Sequence, residues 1–118
     1  MTDRETYAPL MFFESDHTPG SYSLLLSDLA DPRVMAVFER NGQCSHGYGW
    51  EGVARSVVRN RAPELADRFR YDPEGSMFVA YGTDPDALRA LGAILRDAFH
   101  DDDLLADLIR TGDPNEFD

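Results

Sequence analysis

Three groups of side chains in this sequence have types and spacings that could do chemistry. Glu51, Asp72 and Glu74 are carboxylates that a fold could gather for acid–base work. Cys44 and His46 stand two positions apart and, with His17 and His100, could contribute to a metal site. Asp101-Asp102-Asp103 is an unbroken run of acids. Each group also has a plainer use. Glu51 lies four residues before Arg55, the favourable order for a helix ion pair. Asp72 precedes Pro73, which is turn chemistry. No Ser or Cys has an obvious base beside it, so no catalytic residue and no enzymatic activity is expected. Structural zinc needs paired ligands at short spacing in two places, and one thiol with three scattered His does not supply them. The expectation is no metal and no cofactor. One Asp of the 101–103 run can cap a helix while the others favour its dipole. That leaves the later acids Asp107, Asp113, Glu116 and Asp118 to face solvent or a basic partner.

A fourth signal is Gly47-Tyr48-Gly49-Trp50-Glu51-Gly52, which fits the dinucleotide pattern G-x-G-x-x-G. That fingerprint requires a strand before the glycines and a helix after them. Residues 41–46 read Asn-Gly-Gln-Cys-Ser-His, polar and turn-like, so the strand is missing. The alternative function, a small-molecule or nucleotide-binding regulatory domain using the Gly47–Gly52 loop, rests on this spacing alone. The other reading is structural: Gly47, Gly49 and Gly52 permit a positive φ or a close backbone approach. Trp50 then anchors a helix start in the core, and Tyr48 leans outward as an interface aromatic.

The elements that must position these residues can be read from patterning. Pro9–Glu14 and Ser21–Ser27 are strand-length apolar runs around a Pro19-Gly20 turn. Asp31-Pro32 opens a helix with Val34, Val37 and Phe38 on one face, ended by Asn41-Gly42. A second helix begins at Trp50, after a loop over 43–49, with Trp50, Val53, Ala54, Val57 and Val58 as its stripe. Pro63 interrupts or restarts it. Phe69–Asp72 and Ser76–Tyr81 flank Pro73-Glu74-Gly75 as a second hairpin, with Phe69, Tyr71, Met77 and Val79 or Phe78 toward the core. Asp84-Pro85 starts a helix carrying Leu88, Leu91, Ile94, Leu95, Ala98 and Phe99. A last helix begins within Asp101–Asp103, carries Leu104, Leu105, Leu108 and Ile109 on an apolar face, and stops at Gly112. Residues 113–118 read as a frayed tail. The order β, β, α, α, β, β, α, α predicts one α+β domain over residues 1–118. Its antiparallel sheet has about four strands, with helices packed on one side.

Bulk properties narrow the function. The chain has 118 residues, and 11 basic against 22 acidic side chains give a net charge of −11. Such a chain repels nucleic acid and better suits a basic partner. All the basic residues are Arg. Residues 101–118 carry acids with Arg110 alone against them. Arg55, Arg59, Arg61, Arg68 and Arg70 make a basic stretch with only Glu64 and Asp67, and the two regions should partly neutralise each other. No run is long and apolar enough for a membrane span, and MTDRETYAPLMFF lacks the features of a leader. A single Cys suits a reducing compartment. The location expected is cytoplasmic.

Phe38-Glu39-Arg40-Asn41-Gly42, Gly47-Tyr48-Gly49-Trp50-Glu51-Gly52-Val53-Ala54, Pro63-Glu64-Leu65 and Tyr71-Asp72-Pro73-Glu74-Gly75-Ser76-Met77-Phe78 together resemble the immunity protein 51 family of bacterial polymorphic toxin systems. The resemblance spans about Leu10 to Ile109. It implies an α+β domain that binds and blocks a toxin domain in the producing cell, with no catalytic residues to transfer. A nuclease toxin is favoured, because enzymes acting on nucleic acid carry basic clefts. The contacts expected are Tyr48, Glu51, Asp72, Glu74, Asp101, Asp102 and Asp103.

Overall fold

Asp-Pro punctuation organises much of the chain. In the computed structural model, which describes residues 6–118, Asp31 accepts hydrogen bonds from the Arg33 and Val34 amides and Pro32 opens helix α1 (Pro32–Arg40). Gly42 follows with φ +77°, a left-handed stop that glycine takes without steric cost. Asp84 accepts from the Ala87 amide and Pro85 opens α3 (Pro85–His100). Asp101 accepts from the Asp103 and Leu104 amides at the start of α4 (Asp102–Thr111). Each such cap contributes about 1 kcal/mol by satisfying amides that the helix leaves unpaired.

Strands β1 (Met11–Glu14), β2 (Tyr22–Leu26), β3 (Arg70–Tyr71) and β4 (Phe78–Gly82) form one antiparallel sheet in the order β1-β2-β4-β3. Both expected hairpins are present, and the second inserts its longer strand against β2. Phe12, Leu24, Ala80 and Tyr71 are cross-strand partners in one row, and Leu26 pairs with Phe78 in the next. Phe12, Leu24, Leu26, Phe78 and Ala80 are buried. Residue parity therefore assigns Phe78 to the core. Val79, the alternative to Phe78, and Met77, which was expected on that face, have the opposite parity and are corrected.

The helices bring the rest of the core. Leu88, Leu91, Leu95, Ala98 and Phe99 of α3 are buried, as are Leu105, Leu108 and Ile109 of α4. Gly92 lets α3 approach the sheet, since a Cβ there would lie 3.1 Å from Leu24 Cδ1. Trp50 is fully buried between Phe38 and Phe99, with ring centroids 5.5 and 6.0 Å away. Its indole N–H donates to Ser45 Oγ at 3.3 Å.

Two expectations are corrected. The second helix, α2 (Gly47–Asn60), starts three residues before Trp50. His46 makes this start possible, because its Nδ1 accepts from the Gly49 amide at 2.8 Å. Histidine is a rare cap, so the polar run before Trp50 read as loop. The tail is not frayed. Asp113 accepts from the Asn115 amide, Pro114–Phe117 form a 3₁₀ turn, and Phe117 is 1% exposed. One buried aromatic ring outweighs the polarity of its neighbours, which dominated the sequence reading. The reading of the N-terminus as free of a leader involves residues 1–5, which lie outside the described residues. Among the described residues, no helix is long and apolar enough to cross a membrane.

Candidate functional site

The three glycines of the Gly47–Gly52 segment are helical and packed against protein. A Cβ on Gly47 would overlap the carbonyl oxygens of Glu74 and Met77, and one on Gly49 the carbonyl of Cys44. A Cβ on Gly52 would run into the Phe117 ring. No strand precedes the segment, so the spacing serves close packing. The positive-φ option is not used, since only Gly20 and Gly42 among the described glycines adopt it.

This packing assembles one corner of the molecule. The Gly47 amide donates to the Gly75 carbonyl at 3.3 Å, which seats the start of α2 on the β3–β4 turn. Glu74 and Met77 bridge across that turn. Tyr48 follows Gly47 and is 40% exposed, with its ring edge-on to His46 at 5.6 Å. Asp72 donates its amide to the Val79 carbonyl and keeps its carboxylate in solvent. Tyr48, Asp72 and Glu74 thus come from a helix start and a turn that touch. No basic side chain pairs with Asp72 or Glu74 among the described residues.

Glu51 is engaged differently. It accepts from Arg55 Nε at 2.8 Å, and the Arg55 guanidinium lies over the Tyr71 ring, 4.8 Å from its centroid. Burial opposes the charge on Arg55, but the Glu51 hydrogen bond and charge outweigh it and hold its pKa above the usual value. Burial likewise raises the Tyr71 hydroxyl pKa, against the lowering effect of Arg55. These groups border an open groove of about 580 Å³, where Arg55, Arg59 and Arg70 stand with Phe69, Tyr71 and Glu116.

The acidic end is largely engaged. Asp101 caps α4 and Asp102 pairs with Arg33. Asp107 pairs with Arg61 at 2.7 Å, and Glu116 with Arg59 at 2.9 Å. Asp103 alone of its triplet is exposed and unpaired. The expected neutralisation between the acidic end and the basic helix is therefore built from specific pairs. Among the described residues, no group of three or more His, Cys, Asp or Glu could hold a metal. His46 caps α2, and His100 Nε2 lies 3.2 Å from the Ala8 carbonyl.

A further surface was not singled out from the sequence. Met11, Leu25 and Val79 are cross-strand partners in one row, and Phe13, Ser23, Tyr81 and Arg70 in another. Both rows have the parity opposite to the buried face. Met11 and Tyr81 are each 37% exposed, and Phe13, Leu25 and Val79 are half-buried. None of the five packs on the core. The signal was present in Met11-Phe12-Phe13 and Leu24-Leu25-Leu26. Consecutive apolar residues in an antiparallel strand make both sheet faces apolar, and the helices cover one.

The molecule is thus an α+β domain in which two unpaired acids of the β3–β4 turn, Asp72 and Glu74, lie between an exposed aromatic at the start of α2 and a second sheet face that is apolar. The chain belongs to the immunity protein 51 family, whose model matches residues 10–114. No curated protein and no solved structure matches it.

Proposed function

We propose that this protein neutralises a cognate toxin domain by stoichiometric binding in the cytoplasm of the producing cell, with no chemistry of its own. Family membership over nearly the whole chain carries the reading. The net charge of −11 supports a basic partner, and a nuclease domain, which must hold nucleic acid, fits that description. Tyr48, Asp72 and Glu74 are the contacts the geometry favours, since they adjoin and are exposed. Glu51 supports them by fixing Arg55 on Tyr71. Asp101 and Asp102 act within the fold, and Asp103 adds to long-range attraction. Attraction between opposite charges speeds encounter, while desolvated aromatic contacts slow release.

The test is co-expression with the toxin domain encoded beside this chain, together with size-exclusion chromatography of the pair. Survival of the host and a one-to-one complex are expected. Host death with no complex would overturn the reading. The nucleotide-binding alternative has little support, because protein atoms fill the space at Gly47, Gly49 and Gly52.

A further inference from the structure

We infer that the open face of the sheet, formed by Met11, Phe13, Leu25, Val79 and Tyr81, is the centre of the toxin-docking surface, with Asp72, Glu74 and Tyr48 as its rim. This rests on the reading of the protein as a toxin-binding immunity protein. Five apolar side chains stand in two adjacent cross-strand rows, with the small Ser23 between Phe13 and Tyr81, and none of the five packs on the core. No charged residue interrupts them until Arg70 and Asp72 at the β3 edge. Interface centres are depleted of charge and enriched in aromatic residues and Met, whereas rims are polar. The sheet supplies the first composition and the β3–β4 turn the second.

Size and charge select the occupant. Four short strands give a face of roughly 15 Å by 15 Å, on the order of 200–300 Å². A stable interface buries about 800 Å² on each partner. The remaining area must come from surface continuous with the sheet, and the β3–β4 turn leads to Glu74 and Tyr48. That extension is acidic and has no basic partner within the described chain, so the occupant carries an apolar patch with a basic border. A second copy fits worse, because two bodies of net charge −11 would meet.

The experiment measures binding of the toxin domain encoded beside this chain by calorimetry, using wild type, Leu25→Glu, Tyr81→Ala and Ala90→Glu. Ala90 is exposed on α3, on the opposite side of the sheet, and serves as the control. Urea midpoints establish which variants fold, and if Leu25→Glu does not, Tyr81→Ala decides. Leu25→Glu is expected to weaken binding at least about 100-fold and Tyr81→Ala about 10-fold, with Ala90→Glu unchanged. Wild-type affinity in both sheet variants, with wild type still binding and protecting, would overturn the docking surface and leave the immunity reading standing. No binding and no protection by wild type would remove the immunity reading and this inference with it. A wild-type dimer that Leu25→Glu splits would assign the face to a second copy and overturn the inference.

Discussion

The acids of the C-terminal end and those of the β3–β4 turn look alike in sequence and differ in the fold. Asp101, Asp102, Asp107 and Glu116 cap a helix or pair with arginines of α1, of α2 and of the α2 C-cap. Asp72 and Glu74 have no such partner and stand beside an apolar sheet face and an exposed tyrosine. Local acid density is greatest where the charge is internally balanced. A partner seeking negative charge next to burial-ready surface finds both at the turn.

That contrast can be broken from the structural side first. Phe117 ties the C-terminal end to α2 through Gly52 and Gly112. Phe117→Ala is expected to cost about 3–4 kcal/mol in urea unfolding, the range for a fully buried phenylalanine. The fraction that remains folded should bind toxin as wild type does. Loss of binding by folded protein would show that the C-terminal end is part of the docking surface.

Gly47→Ala tests the corner itself. The new methyl would meet the Glu74 and Met77 carbonyls, so α2 and the turn must separate, at a cost of about 1–3 kcal/mol. Unlike Phe117→Ala, it should also weaken toxin binding in folded protein, because it displaces Tyr48 from Glu74. Unchanged urea stability and toxin affinity would mean that the corner is not rigid.

Tyr71 gives a pH signature. Its folded pKa is raised by burial above the value near 10 of an unfolded chain. Between those values the folded state holds a proton that the unfolded state has released. This contribution to stability is complete below about pH 10 and is lost as pH rises through the folded pKa. Tyr71→Phe should therefore lose less stability than wild type between about pH 9 and 11, measured by denaturant melts. Equal losses would contradict the burial argument.

The smallest structural effects separate the two acidic regions most directly. Asp102→Asn breaks an exposed pair with Arg33 and should cost at most about 1 kcal/mol, with no change in toxin association rate. Asp72→Asn combined with Glu74→Gln should change stability by no more than about 0.5 kcal/mol, yet slow association and flatten its salt dependence. Stopped-flow mixing at two ionic strengths distinguishes them. The reverse pattern would place the toxin at the acidic end.

Local order already carried much of this fold. The Asp-Pro helix starts, the Asn41-Gly42 stop, the two hairpin turns and the stripe of α3 all depend on neighbours within a few residues. For that reason, four strands and the principal helices were legible. The buried Trp50 was legible from the apolar stripe of its helix, and the exposed Tyr48 from its place among glycines, although the segment read as loop is helical. The His46 cap, the folded tail and the open sheet face were not, although Leu24-Leu25-Leu26 held a clue to the last.

The amino-acid sequence by itself determined the α+β order, the family, the net charge and the residues able to start and stop each element. Only the tertiary structure decided which acids remain free, which parity of each strand meets the helices and what fills the glycine spaces. Those outcomes depend on partners far apart in the chain, as in Arg33 with Asp102, Gly52 with Phe117 and Gly47 with Gly75. A charge or a gap has no fixed worth until folding brings its counterpart to it.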